Sequence, residues 1–182
     1  DVYYQAISET GALAQKLTAP EAAALPEKVM AALGESSHGY LTDVTEAVAP
    51  HLPLDALARW DADLKTAIAQ REGEEAAQAS DDWFYSMTSQ WAEMRQISAS
   101  ARGNLDLLIA LEARKKPHMQ NTLGIAAALL AAGRTAEALE WVRKPGRREF
   151  GQTDGDLSPA RVMLEAQILE ASGDKAAAQA LR

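Results

Sequence analysis

Apolar residues recur along most of the chain at intervals of three and four positions, which is the spacing of one face of an α-helix. The first amphipathic stretch covers residues 1–17, and Thr18 is placed to cap a second helix. Pro26 is predicted to break or restart that second helix, because an internal proline removes a backbone hydrogen bond. Further helices are predicted over residues 40–49 and through the sequence PLDALARWDADLKTAIAQ, residues 53–70.

The segment EGEEAAQAS, residues 72–80, is acidic and lacks large apolar side chains, so it is predicted to be a linker. It would separate an N-terminal helical segment, residues 1–80, from helical hairpins in residues 81–182. We expect the two segments to form one continuous array. The helix after the linker carries a Met and aromatic stripe, which we interpret as core and not as a ligand groove. The stripe consists of Phe84, Met87, Trp91, Met94 and Ile97 or Ser98.

Composition supports an all-α fold. Hydrophobic residues make up 47% of the chain and aromatic residues only 5%, and most of the apolar content is Ala and Leu, which favour helices. No run of alternating β-branched or aromatic residues predicts a strand. The chain starts without Met and stops just inside a helix, so we expect it to be a fragment of a longer protein.

Charge and cysteine content narrow the function classes. The net charge of −8 argues against a protein whose main task is to bind nucleic acid. The absence of cysteine excludes disulfides, thiolate catalysis and cysteine metal sites, and it suits a reducing compartment, so a cytoplasmic location is expected. No apolar stretch approaches the roughly 18 residues that span a membrane.

Three segments of the second half share one pattern. GNLDLLIAL, GRTAEALEW and GDKAAAQAL begin at Gly103, Gly133 and Gly173, and each glycine stands between two apolar helical runs. A glycine at this place fits the left-handed position that ends a helix. Gly133 is therefore predicted to turn one helix back on another, and no further glycines stand near it at the spacing of a phosphate-binding loop.

Two of these hairpins can be overlaid residue by residue. Small residues and leucines fall at matching distances from the two glycines, where they would let the helices cross closely. The matched pairs are Ala126 with Ala166, Leu129 with Leu169, Ala131 with Ala171, and Ala138 with Ala178.

This spacing resembles the tetratricopeptide repeat (TPR), most clearly over residues 121–141 and more weakly over 158–182. The glycines are separated by 30 and 40 residues, whereas the family repeats every 34, and Thr122 and Val162 replace its early tryptophan. The hairpins are thus similar to degenerate TPR units. The whole chain also resembles bacterial proteins of unknown function that have an Ala-rich helical domain with an LLAAGR-x-x-EAL hairpin. The resemblance implies a TPR-like αα-superhelix with an irregular N-terminal helical cap.

The longer glycine spacing is caused by an insertion, PGRREFGQTDGDLSP, at residues 145–159. A loop of this length in a helical array is often a binding element. Its basic first half and acidic second half are equally explained by solvation, so both interpretations stay open.

Candidate chemistry is sparse. The three histidines are far apart, and the single Glu35-x-x-His38 pair lacks the second motif and the further glutamates of a di-iron bundle. No nucleophile elbow, zinc motif or phosphate loop is present. We therefore expect no metal, no cofactor and no enzymatic activity in this chain.

Basic residues cluster after two predicted helices. They either complement the partial negative charge of the helix C-termini or, if the hairpins stack, form a basic rim for an acidic peptide or a nucleic-acid backbone. The residues of this rim are Arg114, Lys115, Lys116, Arg143, Lys144, Arg147 and Arg148.

The leading hypothesis is a non-enzymatic interaction module that binds a protein or peptide on the face formed by the first helix of each hairpin. The candidate partner-binding residues are Gln120, Asn121, Arg161 and Gln167, although Gln120 and Asn121 also suit a helix cap. The alternatives are an accessory domain of an enzyme whose catalytic part lies outside this chain, and nucleic-acid association through the basic rim.

Overall fold

The computed structural model describes residues 2–33, 40–78, 87–146 and 158–181, and all regular structure in these ranges is helical. The all-α prediction is confirmed. The α-helices are α1 Val2–Ala14, α2 Ala19–Leu33, α3 Tyr40–Val48, α4 Leu54–Gln78, α5 Met87–Ala101, α6 Leu105–Ala113, α7 Thr122–Ala131, α8 Thr135–Arg143, α9 Pro159–Ser172 and α10 Lys175–Leu181. Short 3₁₀ turns, Ala49–His51 and Pro117–Met119, precede α4 and α7.

The chain divides into two compact units, residues 1–104 and 105–182. In the first unit, α1 packs on α3, α2 on α4, and α5 on both α3 and α4. The sequence predicts a division at residue 80, whereas the first unit extends to residue 104, because α5 packs on α3 and α4.

The core of the first unit contains the side chains that the helical spacing placed on one face. Leu57, Trp60 and Leu64 of α4 are at most 2% exposed, and Met94 of α5 is fully buried. Trp91 and Ile97 pack against the same cluster. From Trp91 to Ser98 the stripe on α5 is therefore core, as predicted, whereas Phe84 and the side chain of Met87 lie outside what the structure describes.

Gly11 allows α1 and α3 to cross closely. A Cβ atom at this position would lie 2.9 Å from the carbonyl oxygen of Ala47, closer than real Cβ contacts come. The glycine that weakens α1 as an isolated helix is thus required by its packing.

The start of α2 agrees with the sequence, but its interior does not. The backbone N–H of Thr18 donates to the carboxylate of Glu21 at 2.9 Å, which is the bond that the glutamate of a capping box makes, and the hydroxyl of Thr18 donates to the same carboxylate at 2.6 Å. The predicted break at Pro26 is wrong, since α2 continues through it to Leu33. The proline ring is buried, and this apolar burial offsets the lost backbone hydrogen bond.

The predicted linker is also wrong over most of its length. Residues 72–78 belong to α4, which ends at Gln78. Glu, Ala and Gln are good helix formers, so a polar segment that follows an established helix can extend it without burying any side chain.

The second unit is built from α6 to α10. The α7–α8 pair and the α9–α10 pair are joined by short turns, α8 and α9 pack together, and α7 also contacts α9. Leu129, Val142 and Ile168 are fully buried in its core. Of the small residues that the sequence matched at the helix crossings, Ala126, Ala138, Ala166 and Ala178 are fully buried as well. The third matched pair, Ala131 and Ala171, is exposed and does not lie at a crossing.

The three repeat glycines have the left-handed conformation that the sequence predicts. Their φ angles are 63° at Gly103, 75° at Gly133 and 92° at Gly173. After each glycine, the next residue donates to the carbonyl five residues before it, which is the long hydrogen bond of a Schellman motif. These bonds run from Asn104 to Ala99 at 2.8 Å, from Arg134 to Leu129 at 2.9 Å and from Asp174 to Leu169 at 2.9 Å.

Candidate functional site

Most of the candidate residues lie at one end of the second unit, where α6 and α8 end and α7 and α9 begin. Arg161, in the first turn of α9, connects three of these helices. Its guanidinium donates to the carbonyl oxygens of Val142 and Lys144, the latter at 2.8 Å, and to the hydroxyl of Thr122 at 3.2 Å. The side chain therefore ties α9 to the end of α8 and the start of α7.

The position of Arg161 follows from the chemistry of a helix end. The last carbonyl groups of a helix have no partner within the helix and carry partial negative charge, so a guanidinium there is favourable. The chain after α8 comes close enough to α7 that Gly146 has no room for a Cβ atom beside the buried Thr122. The hydrogen bonds of Arg161 and the close approach of Gly146 to Thr122 together join the ends of α7, α8 and α9 at this end of the unit.

Glu112, which the sequence analysis did not select, is the most buried acid of this region at 3% exposed. Its carboxylate accepts the backbone N–H of Asn121 at 2.5 Å and the ammonium of Lys115 at 3.0 Å. It thereby holds the segment between α6 and α7. The sequence offers one indication that Glu112 is buried. It stands near the end of LDLLIALEA, a strongly apolar helix in which Asp106 is the other acid.

Three of the four candidate partner-binding residues have contacts within the chain. The side chain of Asn121 accepts the backbone N–H of Gly124 at 3.0 Å, so Asn121 caps α7. The amide of Gln120 donates to the carbonyl of Lys115 at 2.9 Å, and Arg161 is bonded as described above. Gln167 is exposed on α9, and its side-chain amide has no hydrogen bond to another described residue. Their role in partner binding stays a prediction.

Intramolecular contacts also engage much of the basic rim. Lys115 pairs with Glu112, and Arg143 pairs with Glu165 at 2.7 Å. The ammonium of Lys144 lies 3.7 Å from the centroid of the Trp141 ring. Arg114 and Lys116 are exposed and have no ion pair with a described residue, whereas Arg147 and Arg148 lie outside the described residues, as does the middle of the 145–159 insertion.

A second polar cluster lies beside the Gly133 turn. Arg134 donates to Glu137 through Nε and Nη2, both at 2.7 Å, and to Asp106 of α6 at 2.6 Å. The hydrogen bonds from Arg134 lower the pKa of Glu137, and those to Glu137 and Asp106 raise the pKa of Arg134. This cluster connects α6 to the α7–α8 hairpin and uses all three nitrogens of the Arg134 guanidinium.

Helices α7 and α9 each expose a short row of uncharged residues. Along α7, Gly124, Ala127 and Ala131 are exposed at helical spacing, and the helix contains no charged residue. On α9, Met163 is 52% exposed and Gln167 is exposed one turn later. We call these five residues the α7–α9 face.

Fold and site together define an all-α protein with helical hairpins in its second unit, closed at one end by a buried polar network. The chain belongs to DUF6880, a family of unknown function, whose model matches residues 1–182. Comparison with curated proteins and with solved structures gives no match. Within the described ranges, no helix is long and apolar enough to cross a membrane, and no three acidic or histidine side chains are grouped as a metal site requires.

Proposed function

We propose that this chain is a non-enzymatic protein–protein interaction module and that its partner binds on the α7–α9 face. One observation supports this most directly. The helix TLGIAAALLA is apolar around its whole circumference, as buried helices are, yet one side of it is exposed. A partner that covers this side would give α7 the environment that its sequence suits.

The proposed architecture is a TPR-like stack in which α7–α8 and α9–α10 are successive hairpins. The contacts of α7 and α8 with α9, the matched buried alanines and the Schellman turns all support this arrangement. In such a stack the first helices, α7 and α9, line the concave side, which in repeat proteins is the usual binding surface.

The composition of the face suggests what kind of partner it accepts. Gly124, Ala127 and Ala131 project no atoms beyond Cβ, so the backbone of a partner helix or peptide can approach closely. The thioether of Met163 adapts its shape to an apolar side chain, and the amide of Gln167 can orient the partner through a hydrogen bond. We therefore propose an apolar segment of another protein as the ligand.

The test is capture from lysate of the source cells with the full-length protein as bait, in the presence of nuclease. Ala127→Arg places a long charged side chain in the middle of the face, and Ala136→Arg makes the same change at an exposed position of α8. We expect wild type and Ala136→Arg to retain a stoichiometric partner that Ala127→Arg loses. With the purified partner, Ala127→Arg should raise the Kd at least about tenfold, because the complex would have to bury an unpaired guanidinium on an apolar surface.

Capture of the same proteins in the same amounts by all three baits would contradict the proposal. Recovery of nucleic acid by the wild-type bait, when nuclease is omitted, would instead favour the basic rim. The ion pairs of Lys115 and Arg143 weigh against that alternative, because they already neutralise part of the rim.

A further inference from the structure

The first unit contains a half-open cleft between α2 and α4 with a volume of about 190 Å³. Its apolar walls come from Pro26 and Met30 of α2 and from Trp60, Leu64 and Ala67 of α4. A cavity of roughly 150 Å³ with apolar walls is large enough to bind benzene. The cleft between α2 and α4 can therefore hold one aromatic ring or one long aliphatic side chain.

The only charged residues that line this cleft are both acidic. Glu27 lines it from α2 and Asp63 from α4, and both are exposed. Neither carboxylate has an ion-pair partner among the described residues. Two other acids of α4 are paired, Asp55 with Arg59 and Asp61 with Arg95. The two carboxylates at the cleft thus leave its negative charge unneutralised.

We propose that this cleft binds an organic cation, namely an ammonium or guanidinium group on a small apolar body. The apolar body would displace water from the side chains of Met30 and Leu64, and the cationic group would lie near Glu27 and Asp63. An anion of the same shape would meet two like charges. A free amine and the side chain of a bound protein share this chemistry. The site belongs to the first unit and does not depend on the α7–α9 face.

The test uses the full chain with ¹³C-methyl-labelled methionine. Met30 is one of five methionines and lines the cleft, whereas Met94 lies in the core of the same unit and serves as a reference. Phenethylamine is the cationic probe, and 2-phenylethanol and phenylacetate are its neutral and anionic analogues. We expect phenethylamine to shift the Met30 signal saturably, with a Kd on the order of 1 mM for a ligand of about nine non-hydrogen atoms. The alcohol should bind several-fold more weakly, and phenylacetate should cause no shift.

A pair of double variants separates local charge from net charge. Glu27→Gln with Asp63→Asn should raise the Kd for phenethylamine about three- to tenfold, because exposed ion pairs contribute modestly. Glu46→Gln with Glu140→Gln changes the net charge equally at exposed positions that do not line the cleft, so it should change the Kd by less than about twofold. All substituted side chains are exposed, and an unchanged Met94 signal would confirm that the variants fold.

Nα-acetylarginine methylamide distinguishes the two sources of the cation. Tighter binding than phenethylamine would support the proposal with a protein side chain as the ligand, and weaker but saturable binding would support it with a free amine. Equal shifts of Met30 by the cation, the alcohol and the anion would overturn it. So would an equal loss of affinity in both double variants, or the absence of any shift with either cation.

Discussion

Replacing Arg161 with methionine should destabilise the second unit substantially. The guanidinium of Arg161 makes hydrogen bonds to two carbonyl oxygens at the end of α8 and to the hydroxyl of the buried Thr122. Methionine keeps an apolar side chain of similar reach, so the change removes mainly the hydrogen bonds and the charge. The perturbation is therefore confined to the closed end of the unit.

The expected magnitude follows from the number and surroundings of these bonds. A hydrogen bond to a charged group contributes about 1.5–3 kcal/mol, but the contributions of neighbouring bonds do not add fully. Arg161 is only half-buried, and the carbonyl groups that it leaves can in part turn to water. We therefore expect the free energy of unfolding to fall by about 2–3 kcal/mol. Arg161→Lys keeps the charge but cannot reach all three acceptors, so it should lose about half as much.

The assay is urea unfolding followed by the δ1-methyl NMR signals of two buried isoleucines. Ile168 reports on the second unit and Ile68 on the first. At an m-value of about 1 kcal/mol/M, the transition of Ile168 should move to lower urea by about 2–3 M in Arg161→Met. The control is Arg114→Met, an exposed position whose substitution should change stability by less than about 0.5 kcal/mol. If Arg161→Met changes stability no more than this control, the network does not hold the unit together.

Two further predictions concern the Gly133 turn. Gly133→Ala should lower the stability of the second unit by about 1–2 kcal/mol, because φ is +75° there. As a control, Gly73→Ala in the exposed interior of α4 should raise the stability of the first unit by about 0.5–1 kcal/mol, because alanine favours a helix more than glycine does. The same urea assay measures both, and destabilisation by both would refute the conformational argument. The pKa of Glu137 should lie below that of an ordinary glutamate, and Arg134→Gln should raise it. Because the folded-state pKa is lowered, this hydrogen bond stabilises the fold above the pKa of an unfolded glutamate and stops doing so as pH falls through the lowered value. The carboxyl ¹³C shift of Glu137 against pH measures the effect, and identical titration curves in both proteins would refute it.

Local sequence features determined much of the fold. The spacing of apolar residues located the helices, because a helix face repeats every three to four residues whatever packs on it. Gly103, Gly133 and Gly173 marked left-handed helix ends, since side chains disfavour that backbone conformation. Ala126 and Ala166 marked close packing in the same way.

Tertiary structure decided what depends on residues far apart in the sequence. Pro26 lies inside a continuous helix because its ring is buried, and this burial could not be read from the neighbours of Pro26. The intramolecular acceptors of Arg161, among them the carbonyl oxygen of Val142 nineteen positions earlier, could not be read from the sequence. Glu27 and Asp63 line the same cleft because α2 packs on α4. Periodicity reports which side of a helix is buried, whereas a site depends on which helices meet, and only the packed chain determines that.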